Sequence, residues 1–259
     1  MRADSQPVLR DIVLVGGGHS HVGVLRMLGM KPVPGARITV ICRDTHTPYS
    51  GMLPGYIAGH YGYDDVHIDL RRVSQFAGAR FYSDEAIAID RGQKKVILKG
   101  RPPVPYDVLS INIGSTPRVD NVRGAGQFTV PVKPINNFNA RWLALLERVK
   151  KRGGRERIAV VGGGAAGVEM VLAMQYRLRN ELRAIARNPD ELEFVLLNAG
   201  DDILPTHNAQ VRAKFRSVLR ARGVEVRDRA RVAEVQVGTL LIEGGGSVDE
   251  SVAQEVWRV

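Results

Sequence analysis

Short apolar runs that end in glycine alternate, along this chain, with stretches whose apolar residues recur at helical spacing. Ile12, Val13, Leu14 and Val15 lead into Gly16, Gly17 and Gly18. Val22, Leu25, Leu28 and Met30 follow as a helical stripe, which Pro32, Pro34 and Gly35 end. The next apolar run, 38–41, completes a strand–helix–strand unit. Residues 66–76 predict a short helix. Residues 79–89 and 94–99 alternate around Asp90-Arg91-Gly92-Gln93 and predict a hairpin, with Pro102, Pro103 and Pro105 turning the chain after it. Residues 106–114 predict another buried strand ending in glycine. The stretch 119–139 reads as loop, 142–149 as helix, and Gly153-Gly154 as a break. The pattern then begins again. A strand from Ile158 meets three glycines, a long helix runs from Val168 towards Ile185, and a strand follows over 192–197. Residues 210–221 predict a helix, 224–226 and 232–242 strands, and 244–246 a turn. Trp257 and Val259 look like the opening of a further strand, which leaves the second repeat unfinished.

The two glycine runs carry the candidate chemistry. Gly16 can take backbone angles closed to other residues, and Gly18 lets the main chain approach a ligand. Free N–H groups where the helix opens, at His19 and Ser20, favour a phosphate. One such loop is weak evidence, but R-I-A-V-V-G-G-G-A-A-G-V-E (157–169) repeats it. Two copies predict two dinucleotide sites. His21 stands where a third glycine normally permits close helix–strand packing, so it either points elsewhere or contacts the cofactor. The acid expected at the end of the second strand, facing a ribose, is replaced by Cys42, with Arg43 and Asp44 after it. Either Asp44 supplies the carboxylate, or main chain, Arg43 and a hydroxyl such as Thr45 hold the ribose. Asn198 stands at the matching place in the second repeat. Asp201 and Asp202 follow it, with no adjacent arginine cluster for a 2′-phosphate, which favours NADH over NADPH.

Composition narrows the chemistry. Cys42 is the single cysteine, which excludes an internal disulfide, a paired-thiol redox centre within the chain and a Cys-rich metal site. The histidine spacings match no zinc pattern, so no metal is expected. The net charge of +10 comes mostly from scattered arginines with few aromatics among them, and nucleic acid is not expected as a partner. The densest basic cluster, from Arg148 to Arg157, lies at a helix end, where cations need no ligand. No apolar run is long enough to span a bilayer, and the N-terminal residues show no signal core, so the expected location is cytoplasmic, with peripheral membrane contact left open.

The arrangement resembles the two-dinucleotide-binding-domain flavoproteins, the pyridine nucleotide-disulfide oxidoreductase family. It is most similar to the NADH dehydrogenase-like flavoproteins associated with selenide, water dikinase. The residues that carry the resemblance are V-G-G-G-H-S-H-V (15–22), T-P-Y-S-G-M-L-P-G-Y-I-A-G-H-Y (47–61), Y-D-V-L-S-I-N-I-G-S-T-P (106–117), V-P-V-K-P-I (130–135) and V-G-G-G-A-A-G-V-E (161–169). The resemblance implies an α/β fold of two nested Rossmann-like domains with parallel sheets and hairpin or meander insertions. Residues 8–117 would be the first part of an FAD-binding domain, 118–246 an NAD(P)H-binding domain, and 247–259 the start of a return segment cut short. It implies FAD and NADH as cofactors, with NADPH as the alternative donor, and hydride passing from nicotinamide to flavin and on to an acceptor such as a quinone. Selenide, water dikinase would be a partner. Gly16, Gly17, Gly18, His19, Ser20 and His21 would meet the FAD pyrophosphate, Arg43 the adenosine ribose, and Ser50, Gly51, Met52 and Leu53 the flavin. Ile113 and Gly114 would return to the cofactor. Gly162, Gly163, Gly164, Ala165, Ala166 and Gly167 would cradle the NAD(P)H pyrophosphate, with Asn198 beside it and Glu169 near the nicotinamide as the candidate catalytic residue. The family's late Gly-Asp segment is not found here, which implies a C-terminally short chain and leaves a non-catalytic nucleotide-binding module as the alternative. A sulfide:quinone-type enzyme is disfavoured by the lone cysteine.

Overall fold

A computed structural model describes residues 7–114, 122–132, 135–244, 246–249 and 256–258. Ser115, Thr116, Pro117 and Lys133, named in the sequence motifs, lie outside the described residues, as does most of the tail after Asp249. The chain forms two compact units. The first runs to Gly51 and resumes at Gly62; the second takes in Met52–Tyr61 and the chain from Thr116 onward.

The first unit holds β1 (Arg10–Val15), α1 (His19–Met30), β2 (Ala36–Cys42) and β3 (His46–Pro48), and the chain then turns through Ser50–Met52 into α2 (Leu53–Ala58), which belongs to the second unit. It continues with α3 (Tyr63–Val66), β4 (His67–Asp69), α4 (Leu70–Phe76), β5 (Arg80–Ser83), β6 (Ala86–Asp90), β7 (Lys95–Leu98), β8 (Val104–Pro105) and β9 (Val108–Ile111). Its main sheet is parallel, in the order β5-β2-β1-β9. Val13, Leu14, Val40 and Ile41 are buried at its centre, and Leu25 of α1 packs on it while Met30 stays exposed. Two expectations change. The stretch 66–76 contains β4 before α4, because its first residues pair with β3 as a small antiparallel ribbon. The alternating run 79–89 is two strands. β5 joins the parallel sheet beside β2, and only β6 turns back on β7, with β8 completing a three-stranded meander.

The second unit holds α5 (Ala125–Phe128), β10 (Thr129–Pro131), α6 (Ile135–Lys151), β11 (Glu156–Val161), α7 (Ala165–Ala184), β12 (Leu192–Leu197), α8 (Ala209–Ala221), β13 (Val224–Arg227), β14 (Val232–Gln236), β15 (Thr239–Ile242), β16 (Gly246–Asp249) and β17 (Val256–Arg258). Its parallel sheet has the order β10-β17-β11-β12-β13. β17 therefore lies inside the sheet, between β10 and β11, with Trp257 fully buried edge-on to Phe138 and Trp142. α6 begins at Ile135 and covers part of the stretch read as loop, with Phe138 buried one turn before Trp142. Val168, Val171, Met174, Leu178 and Leu182 of α7 are buried, each contributing about 1.5–3 kcal/mol of apolar burial. The basic cluster at the end of α6 is met by carboxylates: Arg148 pairs with buried Glu156, Lys150 with Glu147 and Glu181, and Arg157 with Glu193. Among the described residues no helix is long and apolar enough to cross a membrane, and no group of three or more His, Cys, Asp or Glu is placed to hold a metal.

Candidate functional site

Both glycine loops lie at the C-terminal edge of a parallel sheet, directly after its central strand. In the first unit β1 ends at Val15 and Gly16 turns at φ +93°, where a Cβ would lie 2.2 Å from the Asn112 carbonyl oxygen. A Cβ on Gly17 would lie 2.4 Å from Leu70 Cδ1, and one on Gly18 2.1 Å from Asn112 Oδ1. The loop is closed this tightly because the chain leaving β9 runs against it. The Asn112 N–H donates to Val15 O (2.8 Å) and the Gly18 N–H to Asn112 O (3.1 Å). Asn112 thus clamps the loop from the neighbouring strand, a role visible in the sequence only as one residue of the I-N-I-G run. Ile113 is exposed after it, and Gly114 turns at φ +74°. Gly18 caps α1 without a side-chain bond, and the N–H groups of exposed His19 and Ser20 have no partner among the described residues. That leaves free donors and the positive end of a 12-residue helix facing outward, the arrangement that binds a phosphate. The His19 ring meets Tyr49 edge-on at 4.5 Å.

Of the two directions open to His21, the ring takes the inward one. Its ring is 1% exposed, with Nδ1 2.7 Å from Gly16 O and Nε2 2.9 Å from Ser110 Oγ. A carbonyl only accepts, so Nδ1 carries a proton and donates to Gly16 O, while Nε2 shares a hydrogen bond with the Ser110 hydroxyl. Both ring nitrogens are engaged inside the protein, and the side chain staples the loop to β9.

At the end of β2, burial pushes the Cys42 thiol up, while the backbone N–H groups of Asp44 and Gly17 act on it in the opposite sense. Cys42 is therefore a protonated thiol at neutral pH and leaves this position without a charge. Arg43 is exposed and reaches Asp44 at 3.4 Å. Beyond β3, Ser50 and Gly51 are exposed in the short turn before α2 and Met52 is half-buried, but Leu53 is a core residue of the second unit, so its side chain is not offered to a ligand.

The second loop repeats the design with a third glycine in place. The Gly162 N–H donates to Leu197 O (2.9 Å) and Gly163 O accepts from Leu204 N–H (2.7 Å). A Cβ on Gly167 would fall 1.8 Å from Gly162 O, so helix and strand come together as closely as backbone permits. Gly164 caps α7, and the N–H groups of exposed Ala165 and Ala166 have no partner among the described residues. Glu169 is exposed in the second turn and makes no hydrogen bond or ion pair among the described residues. Asn198, the first residue past β12, is 6% exposed and lies against the loop, 2.3 Å from where a Gly163 Cβ would be. Its Nδ2 donates to Gly200 O (3.1 Å) and Asp228 Oδ1 (2.9 Å). The amide is committed to the protein, and it leads to Asp228 and Arg216, which the sequence motif does not reveal.

A family model described as pyridine nucleotide-disulphide oxidoreductase matches residues 10–253. The NADH dehydrogenase-like protein YutJ of Bacillus subtilis is 28% identical over 240 residues, covering 90% of this chain and 61% of its own length. The type II NADH:quinone oxidoreductase of Haemophilus influenzae is 25% identical over 279 residues, covering 93% of this chain and 62% of its own length. The chain thus spans about three-fifths of these curated relatives. NDH2 from Plasmodium falciparum in complex with NADH superposes with a TM-score of 0.81 at 17% identity, over 96% of this chain and 54% of that one, which shows a shared fold. With the paired glycine loops on two parallel sheets and the family match over nearly its whole length, the chain belongs to the pyridine nucleotide-disulphide oxidoreductase family.

Proposed function

We propose that this chain is the dinucleotide-binding part of an NADH-dependent flavin oxidoreductase. FAD sits on the first glycine loop and NADH on the second, and hydride passes from nicotinamide to flavin and on to an acceptor. The observation that supports this best is the pair of loops, each a glycine turn against a neighbouring chain segment followed by a helix whose first N–H groups have no partner among the described residues. The bound cofactors supply the redox chemistry, which is why the protein needs positioning more than acid–base machinery. His19 and Ser20 N–H groups hold the FAD pyrophosphate, with Asn112 fixing the loop. Arg43 and Asp44 serve the adenosine ribose in place of an acid at Cys42, and Ser50–Met52, with Ile113 and Gly114, line the flavin side. Ala165 and Ala166 N–H groups hold the NADH pyrophosphate, and Glu169, exposed and without a partner among the described residues, stands at the nicotinamide. Residues 8–117 and 118–246 are the FAD and NAD(P)H parts in this reading.

The curated relatives carry NADH dehydrogenase and NADH:quinone oxidoreductase names, which favour a quinone acceptor and a peripheral membrane contact to reach it. The partnership with selenide, water dikinase rests on the sequence resemblance alone, most specifically on T-P-Y-S-G-M-L-P-G (47–55). Paired-thiol chemistry on the same fold is disfavoured by the single cysteine in this chain. Binding of FAD and of NADH to the wild-type chain, Gly16→Ala and Gly167→Ala tests the assignment. The wild type should bind both. Gly16→Ala should lose FAD, because its Cβ meets the Asn112 backbone; Gly167→Ala should keep FAD and lose NADH. A folded wild-type chain that binds neither dinucleotide overturns the reading.

A further inference from the structure

We propose that Asp228, on the turn after β13, supplies the carboxylate for the adenosine ribose of the second dinucleotide, and that Asn198 is the residue that positions it. The same network closes the site to a 2′-phosphate, so the donor is the dinucleotide with a bare 2′-hydroxyl. This rests on the second loop being the NAD(P)H site.

The register of β11 and β12 pairs Val161 with Leu197, so Asn198 leaves the sheet beside the glycine loop. In a dinucleotide fold that place faces the ribose, and an acid there accepts from its hydroxyls. An asparagine cannot supply the charge, and this one has no spare donor. Both its amide hydrogens are used, on Gly200 O and Asp228 Oδ1, and its Oδ1 takes the Gly200 N–H at 3.4 Å. The bond to Asp228 brings a carboxylate from the next strand to the position the motif reserves for one. Asp228 is half-buried. Its other oxygen accepts from Arg216 Nη2 at 2.6 Å, and a carboxylate has about four acceptor sites, which leaves room for a ribose hydroxyl to donate.

The surrounding arginines are already committed. Arg216 also bonds Asp202 through Nε (2.7 Å), Arg212 reaches Asp202 at 3.1 Å, and Arg229 is held by Asp201 at 2.7 Å. Asp202 is held below the usual carboxylate range by Arg216, first through the hydrogen bond and, against some desolvation, through its charge, so it stays ionised at neutral pH. A 2′-phosphate would therefore face Asp201, Asp202 and Asp228 and would have to break a guanidinium–carboxylate pair to gain a partner. A ribose diol breaks none.

Calorimetric titration with NAD+ and with NADP+, on wild type, Asp228→Asn, Asp228→Glu and Asp202→Asn, tests this without turnover. Wild type should bind NAD+ at least about tenfold more tightly than NADP+, a difference of about 1.4 kcal/mol. Asp228→Asn should weaken NAD+ and strengthen NADP+ by freeing Arg216, cutting the ratio about tenfold or more. Asp228→Glu should restore part of it. Asp202→Asn should strengthen NADP+ alone, a gain that general unfolding cannot produce. If wild type binds NAD+ but the ratio is unchanged in Asp228→Asn and Asp202→Asn, the proposal falls and the dinucleotide site stands. If wild type binds neither nucleotide, both fall.

Discussion

His21 and Gly167 occupy the same step of two copies of one loop and meet the same carbonyl in different ways. Gly167 lets the helix close on Gly162 O by having no side chain; His21 reaches Gly16 O with a ring nitrogen and ties the other nitrogen to Ser110 on β9. The first loop is thus held by a side chain where the second is held by packing. Removing the ring strands a buried carbonyl and a hydroxyl and leaves a cavity. His21→Ala should lower stability by about 3 kcal/mol in urea unfolding, since each stranded group costs about 1–3 kcal/mol. Ser110→Ala added to it should cost less than its effect alone. A loss under about 0.5 kcal/mol would show that the staple bears no load. The glycines, the two loops and the substitution at position 21 were all legible in the sequence. The ring's direction was not, because it depends on Ser110 in a strand 89 residues away. Asn198 is a similar case: its place at the strand end follows from spacing, whereas Asp228 and Arg216 reach it only through the packing of α8 and β13.

At the scale of elements, α4 helps set the first loop, because Leu70 fills the space beside Gly17. Asp69 starts that helix. It accepts from the Arg71 N–H (2.9 Å) and from the Arg71 guanidinium, chiefly by a hydrogen bond, and is held down to about 2. A carboxyl depressed in the folded state contributes stability above its unfolded value and loses it as pH falls. The cap should be complete above about pH 4 and vanish through about pH 2. NMR titration of the Asp69 carboxyl carbon should give a midpoint near 2; a midpoint near 4 would mean that Arg71 does not engage it in solution. Most elements could be read from apolar spacing. The exceptions share a cause. β5 looks like one arm of a hairpin because alternation gives strand character without naming the partner, and its partner is β2. The start of α6 is crowded with Asn136, Asn137 and Asn139, which read as loop, although Phe138 among them continues the buried stripe of Trp142 and Leu145. β17 is three residues long, and only its burial between β10 and β11 shows that it completes a sheet.

The whole molecule is two parallel-sheet units, each presenting a glycine turn and an uncapped helix start at the edge of its sheet. The repeat made that architecture legible from sequence, since a fold used twice leaves the same signature twice. The hydride transfer proposed for this chain needs a dinucleotide on each loop. It is read most directly from the visible spectrum of the protein reconstituted with FAD, recorded anaerobically before and after addition of NADH. The flavin band should appear on reconstitution and bleach when NADH is added. A protein that takes up no FAD, or one whose bound flavin stays oxidised under excess NADH, would contradict the assignment of the two loops.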